Sequence, residues 1–247
     1  MIDQLMNRRA MSDPLQPNHS YHPNLALAST EVLHPSAESN GKLEVMFSAW
    51  HHSPTYYGYE ANRQAALGTT VLTLISDPQV IEPNPHRVLK SYKFLTEAAC
   101  AAIDTAAKDF DTVHFLGASS GIVALSSVAG QMPDQVNSAT IIAGGHSLTD
   151  SVWFGARTRL LREVLVRQGW KYEELAELWD PLATRHASPT FQSKPVQFFR
   201  SLSDRNVPPQ SQKAYADELR TAGAVLDERV TRLGHYASIG LRLRKGF

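Results

Sequence analysis

The segment with the clearest chemical potential is a short stretch rich in glycine and serine, Gly117-Ala-Ser-Ser-Gly121. It follows an apolar, strand-like run over 112–116 and leads directly into an apolar, helix-like run over 121–130. A serine on such a strand-to-helix turn needs small residues two positions before and after it, because the backbone there is crowded. Ser119 has glycine at both positions, whereas Ser120 does not. The pattern therefore predicts Ser119 as a nucleophile.

A serine hydroxyl needs a general base, and histidine suits this role because its pKa lies near neutral pH. Of the ten histidines, His235 follows the last strand-like run, where a loop could return it to the carboxyl edge of a sheet. The carboxylate that orients the imidazole is predicted at Asp204, just after the run 196–202. Asp150 is an alternative acid, although its position beside Thr149 at a helix start favours a capping role.

Other residues are candidates for binding the oxyanion or for lining the substrate pocket. The Ser120 N–H, at the start of the helix that follows Ser119, points to where an oxyanion would form. His146 either lines the pocket or belongs to a turn, and Trp153 either packs in the core or faces an apolar substrate. His51 and His52 are predicted at the pocket rim. They do not indicate a metal site, because adjacent side chains of an extended segment point in opposite directions.

The elements that must position these residues alternate between strand-like and helix-like runs. Strand-like runs, most of them apolar, occur at 43–48, 70–76, 112–116, 138–143, 196–202 and 225–230. This alternation predicts the α/β class, with a mostly parallel sheet covered by helices on both faces. A further run, 25–33, precedes a loop that ends in Asn40-Gly41, a strong turn signal, and predicts an antiparallel hairpin with 43–48 at a sheet edge.

Two segments stand apart from this alternation. Residues 1–23 show no periodicity and are expected to form a disordered leader, so the folded domain covers 24–247. A helical insert occupies about 150–186, with apolar residues at helical spacing between Val152 and Leu165 and with Gly169 as a helix end. The insert either packs on the core as two amphipathic helices or forms a lid over the site.

The composition excludes several classes of function. Lys plus Arg and Asp plus Glu number 24 each, so no net field favours nucleic acid. No run approaches the ~20 apolar residues of a membrane helix, and the one cysteine, Cys100, excludes an intrachain disulfide. A cytoplasmic protein is expected. No phosphate-loop or dinucleotide motif is present, so no cofactor is expected. The sequence is compatible with a monomer and with a homo-oligomer.

Taken in order, these motifs resemble those of the α/β-hydrolase family over about residues 25–240. GASSG is similar to the family's nucleophile elbow at Ser119, D-R-N-V-P to its acid turn at Asp204, and L-G-H to its ending at His235. The insert lies where members often carry a lid. Many members have a His-Gly pair after an early strand, and here Ser48-Ala49 replaces it. The resemblance implies the Trp50 N–H as the second oxyanion donor.

The resemblance also implies an activity. A serine hydrolase would cleave a small-molecule acyl ester or thioester through an acyl-enzyme on Ser119, with His235 as base and Asp204 as acid. An acyltransferase or a C–C hydrolase could use the same three residues. A non-catalytic binding protein on this fold is the remaining alternative, and the unusual loop at 48–52 favours it.

Overall fold

The computed structural model describes residues 27–36, 38–50 and 54–245. Its strands are β1 (Leu27–Leu33), β2 (Lys42–Phe47), β3 (Thr70–Ser76), β4 (Thr112–Ala118), β5 (Ser138–Ile142), β6 (Pro195–Ser201) and β7 (Val225–Thr231). Its α-helices are α1 (Pro54–Ala66), α2 (Pro85–Ala106), α3 (Gly121–Gln131), α4 (Leu148–Phe154), α5 (Arg159–Arg167), α6 (Tyr172–Leu178), α7 (Pro209–Thr221) and α8 (His235–Lys245). The predicted leader, residues 1–23, lies outside the described residues.

The strands form one sheet in the order β1-β3-β2-β4-β5-β6-β7. Strand β1 is antiparallel to β3, and the other neighbouring pairs are parallel. The predicted α/β class with a mostly parallel sheet is therefore confirmed. Because parallel strands end at the same edge, the loops after β4 and β6 meet there.

The predicted hairpin between the runs 25–33 and 43–48 is wrong, because β1 pairs with β3 and not with β2. Strand β2 lies between β3 and β4, and all its residues after Lys42 are buried. The described side chains of β1 are mostly exposed, so this strand takes the edge, where one side needs no partner. Gly41 does adopt a left-handed turn conformation, with φ +71°, but the turn leads β2 away from β1.

Helices cover both faces of the sheet, and the side chains of β2 alternate between them. Leu43, Val45 and Phe47 point into the larger core, against the helices that include α2 and α3. Met46 points to the other face, where α1 and α8 contribute Tyr57 and Leu243 to a smaller core. Glu44 shares the face of Met46, since alternate residues of a strand point to the same side.

The insert does not form the continuous helix that its spacing predicts between Val152 and Leu165. Helix α4 ends at Phe154, with Gly155 as its C-cap, and α5 begins only at Arg159. A Cβ atom at Gly155 would lie 2.6 Å from the Asn206 carbonyl oxygen, so only glycine allows this close approach. The next N–H, of Ala156, donates to the Arg205 carbonyl at 2.6 Å. Docking on the loop after β6 therefore breaks the helix.

Candidate active site

Ser119 occupies a strained turn between β4 and α3. Its φ is +53°, a left-handed conformation that side-chain-bearing residues rarely adopt. A Cβ atom at Gly121 would lie 2.4 Å from the Phe47 carbonyl oxygen, and one at Gly117 would lie 2.9 Å from the Ile122 side chain. Gly121 is therefore required by close packing against backbone, whereas a side chain at Gly117 would need Ile122 to shift, and the turn holds Ser119 at the carboxyl end of β4.

His235 and Asp204 form a buried pair near the same edge. Their side chains are joined by a 2.7 Å hydrogen bond between His235 Nδ1 and Asp204 Oδ2. Asp204 Oδ1 also accepts hydrogen bonds from the N–H groups of Asn206, at 2.8 Å, and Val207, at 3.0 Å. The pairing commits Nδ1 to the carboxylate and leaves Nε2 as the ring nitrogen for proton transfer.

Two buried residues that the sequence reading missed hold this pair in position. Gln212 of α7 is fully buried, and its Nε2 donates to Asp204 Oδ2 at 2.9 Å while its Oε1 accepts from the Ser201 N–H at 2.9 Å. The Ser201 hydroxyl in turn donates to the Leu233 carbonyl, two residues before His235. No sequence signal marks these residues, since a glutamine on a helix is ordinary on a surface.

His235 was expected in a loop, but it is the first residue of α8. Ile239 and Leu243, four residues apart and both buried, hold this helix against the smaller core. That apolar spacing is the signal that could have predicted the helix. The imidazole is consequently held by a packed element and is 7% exposed.

Ser119 and His235 line one small cavity of about 90 Å³. Its other lining residues include the apolar side chains of Leu148, Val152 and Ile239. Among the described residues, no hydrogen bond joins the Ser119 hydroxyl to His235. The arrangement presents a hydroxyl and an oriented imidazole to one largely apolar space, and nucleophilic acyl transfer would further need the two to come within hydrogen-bond reach.

The two predicted oxyanion donors lie side by side at this cavity. Ser120 begins the turn into α3, where helix N–H groups have no partner within the helix. The Trp50 N–H, however, donates to the Ser120 hydroxyl at 2.6 Å. Tyr57, also missed by the sequence reading, holds this loop by accepting a 2.9 Å hydrogen bond from the Ala49 N–H. Burial raises the pKa of Tyr57 far above its usual value, so it remains a neutral phenol.

The other residues predicted to line the pocket do not line the cavity of Ser119 or lie outside the described residues. His51 and His52 belong to the second group. His146 lines a separate cavity and contacts Glu218 through Nδ1 at 2.6 Å, a bond that raises the histidine's pKa. Trp153 packs against Tyr172, with ring centroids 6.1 Å apart. Among the described residues, neither His146 nor Trp153 lines the cavity of Ser119.

Asp150, the alternative acid, is engaged by other groups. Its carboxylate accepts hydrogen bonds from Tyr172, at 2.7 Å, and from Ser211, at 2.6 Å. The expected capping role is also wrong, because Ser147 caps α4 by accepting from the Asp150 N–H.

The described residues contain no cluster of His, Cys, Asp or Glu that could hold a metal ion. None of their helices is long and apolar enough to cross a membrane.

Solved structures with this architecture share little sequence with the chain. Acylaminoacyl peptidase from Pyrococcus horikoshii has a TM-score of 0.63 and 14% identity, over 87% of this chain and 37% of the peptidase. A lipase in its open form has a TM-score of 0.60 and 11% identity, over 87% of this chain and 92% of the lipase. Est1E from Butyrivibrio proteoclasticus has a TM-score of 0.59 and 11% identity, over 88% of this chain and 91% of Est1E.

Sequence comparison adds no relative to this group. No protein-family model matches the chain, and no curated protein matches it in sequence. The chain spans little more than a third of the peptidase's length, but nearly all of the lipase and of Est1E. These likenesses show that the chain has the α/β-hydrolase fold. They leave its activity, and the action of the insert as a lid, as predictions.

Proposed function

We propose that this α/β-hydrolase-fold chain is a serine hydrolase that cleaves a small-molecule acyl ester or thioester. One observation carries the proposal: the strained Ser119 and the Asp204-paired His235 open onto the same cavity. Backbone strain of this kind persists only where the surroundings enforce it, and it clusters at functional sites. Ser119 is held in this conformation by a 2.9 Å hydrogen bond from its N–H to the Ile142 carbonyl, and Gly121 allows the turn to pack directly against the Phe47 carbonyl.

The reaction proceeds in two steps. His235 Nε2 takes the hydroxyl proton of Ser119 as Oγ bonds to the substrate carbonyl carbon, and the carbonyl oxygen becomes an oxyanion. The N–H groups of Ser120 and Trp50 stabilise this charge, once the Ser120 hydroxyl has turned away from Trp50. The imidazolium then protonates the leaving alcohol or thiol as its bond to carbon breaks. Water attacks the acyl-enzyme in the same way, so that the acid product leaves and Ser119 regains its proton.

The dimensions of the cavity favour a short acyl group. A space of about 90 Å³ is well below the roughly 300–1,000 Å³ of pockets for drug-sized ligands. Leu148 and Val152, both of α4, form part of its apolar wall. Hydrolysis is therefore expected to fall as the acyl chain lengthens beyond a few carbons, as a series of 4-nitrophenyl esters would measure.

The first experiment is covalent labelling with a fluorophosphonate probe. The wild type should be labelled, Ser119→Ala should not be, and His235→Ala and Asp204→Asn should react much more slowly, because the serine loses its activated base. Asp150→Asn is the matched control for the acid and should label like the wild type. Equal loss in Asp150→Asn and Asp204→Asn, in folded proteins, would contradict the assignment of Asp204.

A non-catalytic binding protein is the second candidate, and one observation favours it. The Trp50 N–H is bonded to the Ser120 hydroxyl, so this oxyanion donor is engaged within the chain. Losing one such donor typically costs about 10²–10³ in rate. A folded wild type that resists the fluorophosphonate would support this candidate over the hydrolase.

A further inference from the structure

Arg157 brings a positive charge to the cavity of Ser119. It lies between α4 and α5, and its side chain is exposed at the cavity mouth. Its guanidinium carbon lies 5.6 Å from the ring centroid of Tyr236, the residue after His235, at cation–π distance. Among the described residues that line this cavity, Arg157 is the only one with a permanent charge. A single cation in the lining favours a ligand with negative charge.

The backbone holds Arg157 firmly on both sides. The preceding Ala156 donates its N–H to the Arg205 carbonyl at 2.6 Å. The following Thr158 donates its hydroxyl to the Ser151 carbonyl at 2.9 Å. These contacts fix the segment against α4 and against the loop that carries Asp204. The backbone that carries the guanidinium is therefore held in place, so binding a ligand would not require this segment to become ordered.

The other arginines of the insert have partners, and Arg157 differs from them. Arg159 and Arg167 are paired with Glu163, at 3.6 Å and 3.9 Å. Arg185 is paired with Asp180, and Arg162 donates to the Trp153 carbonyl at 2.5 Å. Within the part of the chain that the structure describes, Arg157 has neither a carboxylate nor a carbonyl partner. Its hydrogen-bond donors are available to a ligand.

We propose that Arg157 selects substrates that carry a carboxylate a few bonds from the scissile acyl group. This inference rests on the proposed hydrolase function and names its substrate class. The planar guanidinium can bind a carboxylate with two parallel hydrogen bonds. Among the described residues that line the cavity, none carries a carboxylate that would compete for Arg157. The apolar wall takes the short chain between the two ends of the substrate.

The test compares esters that differ only in charge. One pair is 4-nitrophenyl hydrogen glutarate and 4-nitrophenyl pentanoate, with the carboxylate on the acyl side. The other is 3-carboxyphenyl butyrate and phenyl butyrate, with the carboxylate on the leaving group. In at least one pair the wild type should favour the charged ester in kcat/KM by about tenfold to a hundredfold, the usual size of a charge-assisted hydrogen bond. Arg157→Gln should abolish this preference, and Arg157→Lys should retain part of it.

Arg159→Gln is the matched control, since it removes the same charge two residues away and outside the cavity lining. It should keep the wild-type preference. Binding is measured separately, on Ser119→Ala, with methyl hydrogen glutarate, 3-carboxyphenyl butyrate and their neutral counterparts by calorimetry. Selective binding of a charged ester that Arg157→Gln removes would support the subsite even in a protein without esterase activity. Absence of charge preference in both kinetics and binding would overturn the proposal, while neutral-ester turnover and probe labelling would still report on the hydrolase function.

Discussion

Asp204 and Glu44 are two carboxyl groups buried to the same extent, each 4% exposed, but in opposite surroundings. Asp204 lies in the loop after β6 and accepts four hydrogen bonds, from two backbone N–H groups, Gln212 and His235. Glu44 lies within β2, and its Oε1 has no hydrogen-bond partner among the described residues. The Asp204 carboxyl group is surrounded by hydrogen-bond donors, whereas the Glu44 carboxyl group is buried and no described residue donates a hydrogen bond to its Oε1.

Burial keeps the Glu44 carboxyl group protonated at neutral pH. Burial and the nearby Glu60 carboxylate raise the pKa of Glu44 to about 8, against the lowering influence of Arg242 and Arg63. Arg242 is itself buried, and two of its nitrogens lack a hydrogen-bond partner among the described residues. A strongly shifted pKa is often used to find active sites. Here the shifted carboxyl lies outside the lining of the Ser119 cavity, and the donors around Asp204 mark the candidate site instead.

The largest expected effect is on activity. Asp204→Asn should lower kcat/KM for a short-chain ester by about 10³–10⁴, because the imidazole loses the carboxylate that sets its tautomer. Glu44→Gln, the matched change at equal burial, should leave kcat/KM within about twofold of wild type. Steady-state kinetics on the two folded variants measures this difference. Comparable losses of kcat/KM in Asp204→Asn and Glu44→Gln would contradict a specific role for Asp204.

Gln212→Met tests whether a single hydrogen-bond donor to Asp204 contributes to stability and activity. Methionine roughly keeps the volume of the glutamine but leaves the Asp204 oxygen, the Ser201 N–H and the Val207 carbonyl without this partner. Unsatisfied buried groups of this kind cost roughly 1–3 kcal/mol each. We expect a clear loss of unfolding free energy and a fall of about tenfold in kcat, with a shifted pH–rate profile. We assign Gln212 the role of a positioning residue, because it acts on the reaction only through Asp204. A variant that loses stability but keeps the wild-type pH–rate profile would show that Gln212 has a structural role only.

Glu44→Gln should also change how stability depends on pH. The folded-state pKa of about 8 lies above the ordinary value of 4.5. Ionisation of Glu44 in the unfolded chain therefore lowers the free energy of unfolding of the wild type as pH rises from about 4.5 to about 8. The variant lacks this loss, so it should match the wild type near pH 4.5 and exceed it near pH 8, on the order of 1–3 kcal/mol. This advantage corresponds to several degrees in Tm.

Thermal unfolding across this pH range measures the effect. Glu31→Gln, at an exposed position of β1, is the control and should follow the wild type at each pH. An advantage of Glu44→Gln that is constant with pH would show that Glu44 is not the group that titrates between these values.

Much of the fold and part of the candidate site could be read from local patterns. The strands β2 to β7 begin and end within about two residues of their predicted bounds, because apolar β-branched runs and their flanking turns are local features. The strained turn at Ser119 was predictable for the same reason, since strand, glycines and helix are contiguous. The break at Gly155 was not, because it depends on docking against Asn206, some 50 residues away.

The sequence by itself determined the α/β class and singled out Ser119, Asp204 and His235 as candidates that follow strands, in a fold where strand ends converge. Only the tertiary structure decided how they are held: His235 on a packed helix, Asp204 against Gln212, and the Trp50 N–H against the Ser120 hydroxyl. The physical reason is that these contacts join segments distant in sequence, such as Trp50 and Ser120, 70 positions apart. Their geometry depends on the packing of the whole sheet and its helices, which no local pattern encodes.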